Sequence, residues 1–108
     1  METYKILFSD LARKEYKSII RHIAVNLKNQ TAAVHTASKI LECIDDAAKN
    51  PYIYPIYFPI EPLKYEYRKI VSGNYLIFYR VDEPQKLLKV MRIIYGKRDL
   101  TRQFKIES

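Results

Sequence analysis

Between Tyr65 and Tyr95 the chain runs through three alternating apolar segments separated by turn residues, and this pattern constrains the fold more than any other stretch. Tyr65-Glu66-Tyr67-Arg68-Lys69-Ile70-Val71 leads to Ser72-Gly73-Asn74, Tyr75-Leu76-Ile77-Phe78-Tyr79-Arg80-Val81 runs back, and Asp82-Glu83-Pro84 turns the chain again into Leu87–Tyr95. Period-two alternation bounded by Gly, Asn, Asp and Pro predicts an antiparallel meander of three strands. Gly96-Lys97-Arg98-Asp99 follows as a compact basic knot. The register of the first hairpin is open. A three-residue Ser72-Gly73-Asn74 loop sets Ile70 opposite Leu76 and Glu66 opposite Arg80, which is the expectation. A two-residue Gly73-Asn74 loop exchanges the faces on one strand.

The first half of the chain reads as helical support for that sheet. Tyr4, Ile6 and Phe8 alternate within Thr3–Phe8, the period of a half-buried first strand. Ser9 then stands as a helix N-cap, with Asp10 in the first turn where the helix dipole favours a negative charge. Leu11, Ala12, Tyr16, Ile19, Ile20, Ile23, Ala24 and Leu27 form an apolar stripe at helical spacing, so one amphipathic helix is expected up to Asn29-Gln30. Thr31 is expected to cap a second helix with the stripe Val34, Ala37, Ile40, Leu41, Ile44 and Ala48, ended by Pro51. Pro51–Pro62 holds four prolines among large apolar residues, which forbids a central strand or a helix and predicts an extended, packed loop. Its aromatic side chains either seal one end of the core or leave an apolar, base-stacking edge for a partner. The fold class is therefore α+β: an N-terminal strand, a helical hairpin and a three-stranded antiparallel meander, forming one sheet with helices on one face and the other face open.

A chain of 108 residues with this apolar share is expected to form a single domain, 1–108. The formal charge is +7, and it is unevenly placed: residues from Lys64 onward carry 11 Lys/Arg against 5 Asp/Glu, and residues 1–63 carry 8 against 7. The basic excess on the strand-rich half points to an anionic partner, nucleic acid or acidic protein. Lys64, Lys69, Arg80, Arg92 and Arg102 are the candidate contacts, with Arg92, set between Val90 and Ile94, either a snorkelling edge residue or part of a site. Cys43 is alone and reads as a small, partly buried apolar residue. His22 and His35 have no Cys, Asp or Glu at metal-ligand or triad spacing, so no metal and no cofactor are expected. No signal-peptide layout and no membrane-spanning run are present, which fits a reducing cytoplasm and no membrane partner.

Phe8-Ser9-Asp10-Leu11-Ala12, Tyr65–Val71, Asn74–Val81 and Arg92-Ile93-Ile94-Tyr95-Gly96-Lys97-Arg98-Asp99, in this order and spacing, resemble the RelE/ParE superfamily of toxins from type II toxin–antitoxin modules, also known as plasmid stabilisation proteins. The resemblance implies a growth-inhibiting toxin held silent by a cognate antitoxin, with one of two activities. A RelE-like member is an mRNA interferase, an endoribonuclease acting with the ribosome on mRNA. A ParE-like member binds and poisons DNA gyrase without cutting RNA. A third possibility is an inactive relative that only binds its antitoxin.

The positions matching the family's basic cluster are Arg68, Lys97 and Arg98, where guanidinium and ammonium groups suit phosphate and transition-state charge. The other reading of Arg68 and Arg98 is that they bind Asp99, Glu66 or carbonyls and stabilise the sheet. Tyr95 or Lys64 would supply the stacking group or proton carrier. The chain departs from the RelE-like pattern at Leu76, where an arginine is usual, and at Thr101 and Phe104, where a tyrosine or histidine is usual. Those departures weaken the nuclease reading and raise the gyrase-binding one; the expectation is still a RelE-like, ribosome-dependent mRNA endoribonuclease, with the ParE-like gyrase inhibitor or an inactive antitoxin-binding relative as the alternatives.

Overall fold

The computed structural model describes residues 3–58, 63–96 and 106. Strand β1 (Lys5–Phe8) leads into helix α1 (Asp10–Arg21), which continues as a π turn over His22–Asn26. Helix α2 (Gln30–Lys49) returns, and strands β2 (Arg68–Ser72), β3 (Tyr75–Asp82) and β4 (Leu87–Tyr95) complete the chain's regular elements among the described residues. The sheet order is β1-β4-β3-β2, with β1 parallel to β4 and the remaining pairs antiparallel. The expected α+β architecture, helices on one face of a single sheet, is the one observed.

Local chemistry accounts for the start of α1. The Ser9 hydroxyl accepts from the Ala12 N–H at 3.0 Å and donates to the Met91 carbonyl at 2.9 Å, so the N-cap also fixes the helix to β4. The helix is not uninterrupted to Lys28, as the apolar spacing suggested. In the π turn the Leu27 N–H reaches back to the His22 carbonyl, and the wider turn shifts the phase of the stripe. Ile23 stays buried, whereas Leu27 is thrown out to 61% exposure. Lys28 takes a left-handed φ of 50°, and the cap of α2 is Asn29, whose side chain accepts from the Ala32 N–H, rather than Thr31. In α2 the buried positions are Ala33, Ile40, Ile44, Ala47 and Ala48, so two members of the expected stripe, Val34 and Leu41, face solvent.

The first hairpin uses the two-residue loop. Ser72 pairs with Tyr75, Ile70 with Ile77 and Arg68 with Tyr79, so the expected Ile70–Leu76 and Glu66–Arg80 oppositions do not form. Gly73 carries a φ of +57° and Asn74 does not, the pattern of a type II′ turn, whose twist matches that of the strands. Strand β2 also begins at Arg68, later than the alternation from Tyr65 implied.

The main core lies between the helices and one sheet face, built on Ala12, Ile40, Ile44, Ile70, Ile77, Tyr79, Leu88, Val90 and Ile93. The opposite face is not open. Tyr67, Leu76, Phe78 and Ile94 are buried there with Ile106, and Tyr57, Leu63 and Met91 pack over them. Phe78 is fully buried, with the Tyr57 ring edge-on at 4.9 Å. The alternation was read correctly, but the cover comes from segments far along the chain.

The β2 edge, and the stretch of β4 that β1 does not reach, are closed by other segments of the chain, which limits strand-to-strand pairing there. Along β2, the Pro-rich loop forms an isolated antiparallel bridge between Ile56 and Arg68, with Tyr57 N–H donating to Tyr67 and Lys69 N–H donating to Pro55. Prolines are tolerated here because only alternate groups of an edge segment must bond. Along β4, β1 ends opposite Val90; beyond it the Ser9 hydroxyl serves the Met91 carbonyl and Glu15 of α1 accepts from the Ile93 N–H.

Candidate functional site

Arg68 sits where β2 meets the Pro-rich loop. Alternation places it on the same face as its partner Tyr79, and the loop after α2 passes over both. Its Nη1 donates to the carbonyls of Tyr54 at 2.7 Å and Tyr52 at 3.2 Å, and its Nη2 meets the Glu66 carboxylate at 3.1 Å. The Tyr52 ring faces the guanidinium at 5.2 Å. The side chain is only 13% exposed, and its buried Nε has no hydrogen-bond partner. Beside it the Tyr79 hydroxyl donates to the Pro51 carbonyl at 2.6 Å, and burial drives its pKa far up, so the phenol is a fixed neutral donor. Arg68 and Tyr79 together pin the loop to the sheet.

Arg92 is bound at the β4 edge. Its Nε and Nη2 donate to the two Glu15 oxygens at 3.0 and 2.9 Å, a bidentate pair with side chains 11% and 16% exposed. The same carboxylate accepts from the Ile93 N–H at 3.0 Å. Arg92 therefore ties β4 to α1. Glu15 was not singled out in the sequence, although it is the one acid among Arg13, Lys14 and Lys17 in that part of α1.

Arg80 and Lys64 converge elsewhere, on Tyr65. The Arg80 guanidinium lies 4.1 Å from the ring centroid and the Lys64 ammonium 5.4 Å, a basic and aromatic cluster on the sheet face away from the helices. Lys69 is half-buried on β2. Tyr95 is 43% exposed at the end of β4 and packs edge-on against Tyr75 at 5.7 Å. Lys97, Arg98 and Arg102 lie outside the described residues. The structure thus brings Lys64 and Arg80 together, and sets Arg68 and Arg92 in separate internal contacts.

A fourth cluster was not foreseen. The Tyr4 hydroxyl donates to the Glu83 carboxylate at 2.5–2.6 Å, and Lys86 meets the same group at 3.1 Å while its ammonium lies over the Tyr4 ring. The Tyr4 hydrogen bond, aided by Lys86, lowers the Glu83 pKa, and the same bond raises that of Tyr4. Lys86 adopts a left-handed φ of 53° to close this turn. Residues 79 positions apart meet here, so no local sequence signal would have found the pair. Among the described residues no group of His, Cys, Asp and Glu could hold a metal ion, and no helix is long and apolar enough to cross a membrane.

Comparison with known proteins gives the family. The structure resembles a chain of the chromosomal ParDE toxin–antitoxin system of P. aeruginosa, with a TM-score of 0.69 at 15% identity, covering 88% of this chain and 98% of that one. It also resembles a chain of the archaeal RelE–RelB complex of Pyrococcus horikoshii OT3 (TM-score 0.60, 16% identity, 90% and 99% covered) and of RelBE2 from Mycobacterium tuberculosis (0.53, 20%, 87% and 99%). At such identities these likenesses establish the fold alone. No curated protein sequence matches. The profile of the family described as "ParE toxin of type II toxin-antitoxin system, parDE" matches residues 6–100, nearly the whole sheet and helical hairpin. The chain therefore belongs to the ParE toxin family of type II toxin–antitoxin systems, within the RelE/ParE superfamily.

Proposed function

We propose that this toxin inhibits growth in the cytoplasm by binding a protein target, DNA gyrase, and is held silent by a cognate antitoxin. The observation that carries the reading is the state of Arg68. Its Nη1 is directed at two main-chain carbonyls and its Nη2 at Glu66, and its Nε, which has no partner among the described residues, is buried, so the guanidinium is held within the fold instead of being presented to a phosphate. Arg92 is likewise engaged by Glu15. Transition-state stabilisation needs preorganised donors aimed at developing charge, and these two face inward. The ParE family profile and the replacement of the usual arginine by Leu76, which is buried, support the same reading.

A second reading, ribosome-dependent cleavage of mRNA, is favoured by one observation: Lys64 and Arg80 flank the Tyr65 ring in an arrangement that suits a stacked base and its phosphate. In that reading Lys97, Arg98 and Tyr95 carry the chemistry, with Lys69 and Arg102 as further phosphate contacts. Purified toxin incubated with gyrase and supercoiled DNA is expected to accumulate DNA cleavage complexes, and mapped transcript 5′ ends after induction are expected to show no new cuts. New cuts at translated positions, lost in Lys97→Ala/Arg98→Ala, would refute gyrase binding as the activity.

A further inference from the structure

We infer that the sheet face away from the helices carries a contact surface for the phosphate backbone of duplex DNA, a basic band of Lys5, Lys89 and Arg80 extended by Lys64 and Lys69. The inference goes beyond the gyrase reading, since no part of it depends on a protein target. Strand alternation sets the band. Ile6 and Phe8 of β1, Tyr79 and Val81 of β3, and Leu88 and Val90 of β4 pack on the helix side, so the residues between them, Leu7, Arg80 and Lys89, point to the other face. The register aligns these three in one row across adjacent strands: Leu7 pairs with Lys89, and Lys89 with Arg80. Lys5 stands two residues from Leu7 on the same face, and Lys69, opposite Phe78, lies on the diagonal from Arg80. With strands about 4.8 Å apart, the band crosses about 14 Å from β1 to β2. The apolar cover on this face, Tyr57, Leu63 and Ile106, packs with Tyr67, Leu76, Phe78 and Ile94, and none of the band belongs to it.

The charges of the band are held together without being cancelled. Like charges directly opposite on neighbouring strands weaken a sheet, yet Lys89 faces Arg80. Asp82, on the same face, meets Lys89 at 3.6 Å, while Lys5, Lys69 and Arg80 form no ion pair among the described residues. Arg80 rests instead on the Tyr65 ring at 4.1 Å, with the Lys64 ammonium 5.4 Å from the same ring. A ring attracts a cation and leaves its charge in place. A bound polyanion relieves the self-repulsion that remains. The surroundings also select among polyanions. Single-stranded nucleic acid is held by aromatic rings that stack on its bases, but here Tyr67 and Phe78 are buried and Tyr65 already carries two cations. A folded acidic protein calls for an apolar centre to the interface, and Leu7, 46% exposed, is the large apolar side chain that the row presents. Charge without a stacking platform or an apolar centre suits the backbone of a duplex, whose bases are already stacked on each other.

The probe is a fluorescein-labelled 20-base-pair duplex of arbitrary sequence, titrated with the full-length chain and read by fluorescence anisotropy. Three neutralised phosphates give a slope of log K against log salt of about −2.7, a loss of about fortyfold between 50 and 200 mM salt. Arg80→Gln/Lys89→Gln should weaken binding at least tenfold and reduce the slope by about two. Lys5→Gln, at an exposed position with no ion pair to break among the described residues, should reduce it by about one. Arg80→Lys/Lys89→Arg keeps the charges and should keep the binding. Lys14→Gln/Lys39→Gln removes as much charge from exposed sites on the two helices and should leave affinity and slope unchanged. Equal weakening by that helix variant would overturn the proposal, because net charge alone would then draw the DNA. So would a duplex left unbound at 50 mM salt, or a slope indifferent to Lys5→Gln and to Arg80→Gln/Lys89→Gln in variants with unchanged circular dichroism. Tighter binding of a 20-nucleotide single strand than of the duplex would overturn it as well. The gyrase reading fails separately: a chain that accumulates no gyrase cleavage complexes and still shows the band-dependent slope refutes that reading and upholds the surface.

Discussion

Replacing Glu15 by methionine should destabilise the chain far more than an exposed ion pair would predict, because one carboxylate satisfies three donors at once. Arg92 Nε, Arg92 Nη2 and the Ile93 N–H all lie within 3.0 Å of it, and both side chains are largely out of water. Breaking a buried pair from one side costs about 3–5 kcal/mol, and the residual exposure of Arg92 puts the expected loss near the lower end, about 3 kcal/mol. Arg92→Met leaves the carboxylate with its Ile93 bond and should cost about 2 kcal/mol. In Glu15→Met/Arg92→Met no charge is stranded, and the remaining defect, chiefly an unpaired Ile93 N–H, is worth about 1–2 kcal/mol. The double variant should therefore be more stable than Glu15→Met alone, a coupling well outside additivity. Urea unfolding measures it: with a slope of about 1.5 kcal/mol/M, Glu15→Met lowers the midpoint by about 2 M. A Glu15→Met loss below about 1 kcal/mol, or singles that add within about 0.5 kcal/mol, would refute the account of Glu15 as the closure of the β4 edge.

Three further outcomes are expected. Tyr79→Phe keeps the ring that packs edge-on against Tyr54 but strands the Pro51 carbonyl, and should cost about 1–3 kcal/mol, read as a fall in thermal midpoint with the far-ultraviolet circular dichroism unchanged. Gly73→Ala meets no neighbour within 4 Å, so any loss comes from backbone strain at φ +57°; a loss of about 1 kcal/mol is expected in the same unfolding assay, and an unchanged midpoint would refute that strain. Because Glu83 is more acidic in the folded chain than in the unfolded one, its contribution is present above the ordinary carboxylate range and is lost as pH falls through its folded value. Glu83→Gln should flatten that part of the stability profile on the acid side of neutrality, and an unchanged profile would show that the Tyr4–Glu83 bond confers nothing.

The elements most legible in the sequence were those whose signals are local. Ser9 and Asp10 mark the start of α1 because a cap and a first-turn acid act within three residues. The strands of the meander were readable from their alternation, since half-buried strands must alternate. The hairpin register was not, because Ser72-Gly73-Asn74 offers two loops of similar local quality and the choice depends on which faces are covered from both sides. Thr31 and Asn29 are likewise both competent caps; the π turn, which ends at Asn26 and sets where α2 starts, made the choice.

The basic residues show the division most clearly. Their number and their excess in the second half belong to the sequence, and with them the expectation of an anionic or acidic partner. Which of them face that partner is a tertiary matter. Arg68 and Arg92 are drawn inward by acceptors 14 to 77 positions away, Tyr54 and Glu15, whereas Lys17 and Arg21 remain outside because no acid folds back to meet them among the described residues. A side chain's charge is intrinsic to it, but the direction in which it acts is set by whichever acceptor the fold brings within hydrogen-bond reach.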